Sequence, residues 1–440
     1  MLAAMPPESP KRPQPGEGHI RKRPSGRVRD RGDACPGALK LHRADDGALA
    51  RLRLPTGVLT ERQIRVLADA ADRLGDGRLS LTSRGNLELR GLGEGCGLGL
   101  AELLREAGLL PASEAHERIR NMVVSPLAGP GVQAAARELD ALLCARAWTT
   151  GLSGRFLFAV DDGRGDVAAL GADVTLLAAE DDGFLLAAAG RVYRIAGPDA
   201  PAAALAAARA FLSAAETAGT GAWRIAELPR AGREMDVTGQ LARAGVAAAP
   251  APVPPTRSCA PPPPGLLAGG FVSVLARLGR VTSDQLRALL PAPEIRVTPW
   301  RGFVLPGLAG EAARSRLMEL AAAGYVTEVH SPWAGVSACT GRPGCAKSLA
   351  DVRADARPVG GGLPVHWSGC ERRCGHPRGD WVDMVATGEG AYRQTVHTRA
   401  GGSEVMFHVK HDQKDPGLAP DVSRETVPGP RTRPTSPQQR

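Results

Sequence analysis

Long apolar runs are missing from this 440-residue sequence. No stretch of about 18 consecutive apolar residues occurs, which excludes a membrane-spanning helix. A secretory signal is missing too, because the start of the chain is basic and proline-rich where an apolar core would be needed. A cytoplasmic location without membrane contact is the expectation. Aromatic residues make up only 4%, and the scarcity runs through the whole sequence beside abundant Ala, Gly, Arg and Pro. It reads as compositional bias with no function attached. A dinucleotide fingerprint is also absent: Gly93, Gly95, Gly97 and Gly99 are closely spaced but lack the strand, turn and downstream acid of a phosphate cradle. Charge of one sign is not concentrated in the middle of the chain. The net charge is +9, yet residues 1–31 alone carry eight Lys or Arg against three acidic residues. What remains does not have the cationic surface of a nucleic-acid protein. The basic start reads as a solvated arm, with contact to a polyanion as the competing reading.

What is present is enough apolar material, 43%, for two or three domains with cores. Residues 1–31 are expected to be a disordered basic tail. A first unit over residues 32–110 has a strand at 50–54, a helix over 64–74 opened by Thr60 with Gln63 three positions on, a strand over 79–90 and a helix over 101–107. A second unit, 111–243, shows strand patterns at 119–124, 156–160, 174–178 and 183–187, then an Ala-rich helix over 201–217. Residues 244–265 are dominated by Ala and Pro, which rules out a regular helix or a central strand and marks a linker. Residues 266–330 then echo the first unit. Thr282-Ser283-Asp284-Gln285-Leu286 repeats Thr60-Glu61-Arg62-Gln63-Ile64, and Trp300-Arg301-Gly302 stands where Ser83-Arg84-Gly85 stood. Two such copies predict pseudo-symmetric α+β half-domains rather than a solenoid, with a ligand cleft between them. Residues 331–400 form a cysteine-bearing unit, and 401–440 a second disordered tail.

Cysteine placement carries the chemistry. Cys35, Cys96, Cys144 and Cys259 are scattered, whereas Cys339, Cys345, Cys370 and Cys374 fall close together. In a reducing compartment clustered cysteines read as metal ligands. Zinc sites favour two to four residues within a pair, so a five-residue first gap departs from that rule and fits a [4Fe-4S] cluster better, with structural zinc as the competing reading. Gly341, Gly344, Gly369 and Gly375 stand beside these cysteines, and glycine lets backbone N–H groups approach cluster sulfurs.

The arrangement C-x5-C, spacer, C-x3-C resembles the cluster motif of the siroheme-dependent sulfite and nitrite reductases. The similarity extends over roughly residues 32–395. It implies two ferredoxin-like half-domains, with Cys374 as the cysteine nearest the tetrapyrrole. Leu81-Thr82-Ser83-Arg84 is similar to that family's first anion-binding segment, Arg120-Asn121 to its second, and Arg155 to the first cation of the third. At the place of a further cation stands Leu157, which offers neither charge nor proton. That departure, with the strings Arg31-Gly32-Asp33-Ala34-Cys35-Pro36, Thr82-Ser83-Arg84-Gly85-Asn86 and Phe158-Ala159-Val160-Asp161-Asp162-Gly163, is similar to the precorrin-3B synthase branch. The resemblance implies an oxygen-dependent monooxygenase that hydroxylates precorrin-3A with lactone formation in aerobic cobalamin biosynthesis. It further implies a [4Fe-4S] cluster, a mononuclear non-haem iron, and electrons from NADH or a separate donor protein. Siroheme belongs only to the alternative, a siroheme-dependent nitrite or sulfite reductase. Arginine forks suit the carboxylates of such a ring, and Arg84, Arg90, Arg120, Asn121, Arg155 and Arg301 are the substrate-binding candidates. His366 and His376 flank the second cysteine pair as weaker candidates for the iron.

Overall fold

The computed structural model describes residues 37–253, 260–358, 362–377, 379–398 and 407–410. The expected N-terminal tail, Cys35 and Cys259 lie outside them. The first unit contains β1 (His42–Ala44), β2 (Gly47–Leu52), β3 (Val58–Leu59), α1 (Glu61–Leu74), β4 (Arg78–Leu81), β5 (Leu87–Leu92) and α2 (Gly97–Glu106). Helix α1 starts where the sequence predicts, because the Thr60 hydroxyl accepts from the Gln63 N–H and the Gln63 side chain accepts in return from the Thr60 N–H. Its buried face is Ile64, Leu67, Ala68 and Ala71, the spacing of an apolar stripe. The single strand expected over residues 79–90 is instead a hairpin of β4 and β5. Its turn is built by the Thr82 hydroxyl, which accepts from the N–H groups of Arg84 and Asn86, with Gly85 left-handed at φ 65°. Gly85-Asn86 is a turn signal that the flanking apolar residues outweighed.

The second unit runs through β6 (Met122–Val124), α3 (Pro130–Ala145), β7 (Phe158–Asp161), β8 (Val174–Ala178), β9 (Phe184–Ala188), β10 (Arg191–Ile195), α4 (Ala200–Ala218), α5 (Val237–Arg243) and β11 (Ala248–Pro250). Its six strands lie in the order β11-β10-β9-β8-β7-β6, parallel from β6 to β8 and antiparallel beyond. Phe156, Phe158 and Phe211 pack together under α4, whose alanines let it lie close to the sheet. The Ala/Pro-rich linker opens as the edge strand β11, a position where proline is tolerated.

After it come β12 (Gly265–Leu267), β13 (Phe271–Leu275), β14 (Arg280–Thr282), α6 (Ser283–Ala288), β15 (Ile295–Val297), β16 (Gly302–Pro306) and α7 (Gly310–Ala322). The capping box recurs at Thr282 and Gln285. Each capping glutamine also donates to the carbonyl just past its unit's second helix, Gln63 to Ala107 at 3.1 Å and Gln285 to Ala323 at 3.0 Å. The two sheets have matching strand orders, β1-β2-β5-β4-β14 and β12-β13-β16-β15-β3. Each takes its last strand from the other half, and one continuous apolar core serves both. The repeat is offset by one residue from the sequence echo. Thr298 takes the place of Thr82, so Arg301, left-handed at φ 61°, corresponds to Gly85 and not to Arg84.

The last unit holds β17 (Val336–Ala338), α8 (Val352–Asp355), β18 (Val365–Ser368), β19 (Trp381–Gly388), β20 (Ala391–His397) and β21 (Phe407–Lys410) in sheet order. Trp367, 1% exposed, meets Tyr392 edge to face at its centre. Part of the expected disordered tail is thus an edge strand: β21 pairs with β20 and supplies it a partner. Residues 411–440 lie outside the described residues. Among those described, no helix is long and apolar enough to cross a membrane.

Candidate cysteine site and arginine cavity

Strands β17 and β18 are parallel, with Ala338 opposite Trp367. The chain therefore leaves both at the same end, and Cys339 and Cys370 emerge side by side. The Gly369 N–H donates to the Cys339 sulfur at 3.2 Å. Gly369 is required there, since a Cβ would stand 1.8 Å from the Ser348 hydroxyl. The Cys345 loop is knitted to the same place, with the Ser348 N–H donating to the Cys345 carbonyl and the Leu349 N–H to the Gly369 carbonyl. All four cysteines carry free thiols. Burial pushes the Cys339 thiol up, and the N–H groups of Gly369 and Gly341 pull it down. Burial pushes Cys374 up as well, Arg372 opposes it, and the charges of Cys370 and Cys345 reinforce it. Cys374 is thus within electrostatic reach of each of the other three, Cys339 is approached by backbone donors, and all four thiols are unpaired. This donor set fits a [4Fe-4S] cluster.

Cys339 and Cys374 also form one wall of a cavity of about 330 Å³ that is open to solvent. Its other walls carry Arg51, Arg53, Arg84, Arg301 and Arg353, with Glu88 as the sole carboxylate. Arg51 pairs with Glu88 at 2.6 Å. Arg53, 4% exposed, donates to the Asn121 side chain and the Gly154 carbonyl. Arg353 donates to the Leu278 carbonyl at 3.1 Å. Burial holds its guanidinium down to about 10, the charges of Arg280, Arg301 and Arg90 push the same way, and Cys339 opposes them. Burial lowers Arg301 too. Neither Arg301 nor Arg353 has a carboxylate partner among the described residues. Partly buried cations with no carboxylate partner among the described residues favour an anion in the space they face.

Of the residues singled out in the sequence, Arg84 and Arg301 reach this cavity. Arg90 instead forks onto Asp46 at 2.9 and 2.8 Å and donates to the Gly344 carbonyl. Arg120 forks onto Asp140 at 2.8 and 2.7 Å. Asn121, fully buried, accepts from Arg53 and donates to the Phe156 carbonyl. Arg155 is exposed, its guanidinium 5.5 Å over Trp223, and Leu157 is buried in a small apolar cluster. The sequence reading missed Arg51, Arg53 and Arg353. The first two alternate with apolar residues along one strand and its exit, the only signal they offered.

A mononuclear iron finds no open set of ligands among the described residues. His366 has both ring nitrogens occupied, by the Ser337 hydroxyl at 2.8 Å and the Cys374 carbonyl at 3.1 Å. Burial, with Arg301 nearby, depresses it to about 3 and keeps it neutral. His376 is stacked on Trp381. The carboxylates of Asp161, Asp162 and Asp166 do cluster, but Asp161 already accepts from the N–H groups of Gly163, Gly165, Val167 and Ala168. This group orders its own loop.

Asp166 gives a pH test of that loop. Burial, and then the charge of Asp161, raise its carboxyl from 3.8 to about 6 against the pull of Ser125. A raised folded value means that this group's contribution is fully present below about pH 4 and is lost as the pH rises through about 6. Asp166→Asn should therefore match the parent near pH 4 and exceed it at pH 7.5, by on the order of 2 kcal/mol. Thermal unfolding at the two pH values checks it, and a variant less stable at pH 7.5 than the parent would contradict it.

Residues 42–106 match the nitrite/sulfite reductase ferredoxin-like half-domain family. Over 396 residues the chain is 27% identical to a precorrin-3B synthase of Sinorhizobium sp, covering 84% of this chain and 83% of that protein. A ferredoxin–nitrite reductase of Leptolyngbya laminosa is 39% identical over 82 residues, 18% of this chain and 16% of that one. The solved structure of Mycobacterium tuberculosis NirA superposes with a TM-score of 0.58 at 17% identity, covering 86% of this chain and 77% of that chain, which establishes a shared fold. The chain is thus similar over most of its length to a precorrin-3B synthase and carries one half-domain of the nitrite/sulfite reductase ferredoxin-like type.

Proposed function

We propose that the protein is an oxygen-dependent precorrin-3B synthase whose [4Fe-4S] cluster is held by Cys339, Cys345, Cys370 and Cys374, and whose substrate lies against the arginine cavity. The observation that carries this reading is the pair of uncompensated guanidinium groups, Arg301 and Arg353, on a cavity walled by Cys339 and Cys374. A cluster bound there would supply single electrons at the cavity wall. The chain's own contribution is to bind and orient. Arg84, Arg301 and Arg353 face the carboxylates of a flat ring, while Arg51 stays paired with Glu88 and stiffens the rim. Arg53 ties the cavity floor to the second unit through Asn121 and Gly154. His366 stays neutral and braces the Cys374 carbonyl. In the net reaction one oxygen atom of O2 enters the meso carbon between rings A and D and the other leaves as water. Two electrons come from NADH or a donor protein, and a ring A acetate closes the lactone.

The test is incubation of anaerobically purified protein with precorrin-3A, O2 and a reductant, followed by mass spectrometry. A hydroxylated lactone, one oxygen heavier than the substrate, is expected. Strong siroheme bands in the purified protein, with sulfite or nitrite consumed in place of precorrin-3A, would instead make it a reductase.

A further inference from the structure

Each half sends one arginine from its central hairpin to a glycine carbonyl beside a cysteine of the cluster motif. In the first half Arg90, on β5, donates to the Gly344 carbonyl at 2.6 Å; Gly344 precedes Cys345. In the second half Arg301, at the turn before β16, donates to the Gly375 carbonyl, also at 2.6 Å; Gly375 follows Cys374. Both landing points bring a guanidinium close to a glycine, and Gly375 is left-handed at φ 84°. A Cβ on Gly344 would come within 3.0 Å of the Arg90 guanidinium, and one on Gly375 within 2.7 Å of that of Arg301. The loops are braced from their other sides as well. The Ala346 N–H donates to Asp45, next to the Asp46 that holds Arg90, and His366 meets the Cys374 carbonyl.

The two contacts differ in one respect. Arg90 is neutralised by its fork onto Asp46 and lies outside the cavity lining, whereas Arg301 has no carboxylate among the described residues and lines the cavity. Its backbone is left-handed where the first half has Gly85, a conformation that an arginine keeps only when its surroundings impose it. Its stem packs so closely over Gly279 that a Cβ there would stand 2.3 Å away. A ligand carboxylate entering the cavity would therefore compete with the Gly375 carbonyl for the Arg301 guanidinium.

We propose that Arg90 and Arg301 are a matched pair of positioning residues, one from each half, that fix the loops bearing Cys345 and Cys374, and that only Arg301 transmits occupancy of the cavity to those loops. The second clause rests on the reading of the cavity as a polycarboxylate site.

The experiment compares the parent protein with Arg301→Asn, since asparagine tolerates the left-handed backbone, and with the double variant Asp46→Asn/Arg90→Gln, which leaves no buried carboxylate alone. Arg301→Lys and Arg90→Lys are the conservative controls. Readouts are the rate of iron and sulfide loss in air, the electron paramagnetic resonance spectrum of the reduced cluster, and titration with uroporphyrin, a stable polycarboxylate tetrapyrrole. Both the Asn variant and the double variant should lose iron about 10-fold faster than the parent, with altered spectra, and the lysine variants should recover part of the difference. Uroporphyrin should change the cluster spectrum of the parent and of the double variant but leave that of Arg301→Asn as it was. Parental lifetimes and spectra in both variants would overturn the paired role, and a uroporphyrin-induced change surviving in Arg301→Asn would overturn the coupling. A parent that holds its cluster but binds no uroporphyrin would defeat the polycarboxylate reading and the coupling with it, while the iron-loss rates still decide the paired role. Should Arg301→Asn fail to fold, Gly375→Ala displaces the same contact from the loop side and is expected to behave alike.

Discussion

Cys370→Ser is expected to purify without iron or sulfide and without turnover. Cys370 lies two residues past the end of β18 and starts the turn in which the Arg373 N–H donates to its carbonyl. Serine is nearly isosteric, so that turn can persist. Its hydroxyl stays protonated where a thiol ionises, and the thiolate is the form that binds metal. Three sulfurs remain, but a site whose ligands are brought together by folding loses stability with its metal. The thermal midpoint should therefore fall below that of the intact protein towards that of the metal-free protein. Cys96→Ser is the matched control. Cys96 stands at the start of α2, outside the motif, with its thiol on the Gly93 carbonyl, and its replacement should leave iron, sulfide and turnover at parental levels. A Cys370→Ser protein with a full complement of iron and sulfide would remove Cys370 from the ligand set.

Arg353→Gln is expected to keep the cluster and to bind precorrin-3A or uroporphyrin about 10- to 100-fold more weakly, the range for losing a hydrogen bond to a charged group. Arg353 belongs to α8, between the two cysteine pairs, where the Asp351 side chain accepts from the N–H groups of Arg353 and Ala354 and fixes the start of the helix. Its guanidinium lies on the cavity among like charges, with the Leu278 carbonyl as its only acceptor among the described residues. Glutamine keeps part of the stem and removes the charge. Because a partly buried cation among like charges costs the folded state, the variant should unfold at the same temperature or a higher one. Weaker binding together with undiminished stability separates a ligand contact from a structural arginine, and isothermal titration with thermal unfolding measures both. Unchanged affinity would take Arg353 out of the binding surface.

What could be read in the sequence was local. Thr60 with Gln63 and Thr282 with Gln285 mark two helix starts at three-residue spacing, and both capping boxes form as their residue types require. The Ala-rich stretch became α4 to within a residue at each end. The cysteine spacing singled out four thiols that the parallel pair β17 and β18 brings to one end of a sheet. What could not be read was which cation finds which anion. Arg90 is claimed by Asp46, 44 residues away, and by a carbonyl 254 residues away. Arg120, similar in its local string to an anion-binding segment, is claimed by Asp140 on α3. Arg53 shows only the alternation of a strand and its exit and Arg353 stands in no string with a signal of its own, and they reach the cavity only because two half-domains and a cysteine-bearing sheet close around it. The one-residue offset of Arg301 has the same origin, since hairpin register is set by turn geometry, which similar letters do not reveal.

The measurement closest to the central claim is iron and acid-labile sulfide analysis of the full-length protein purified without oxygen, with its optical spectrum. The account predicts about four irons and about four sulfides per chain, a broad cluster absorption, and no tetrapyrrole bands until a polycarboxylate ring is added. Zinc in place of iron, or iron without sulfide, would contradict it.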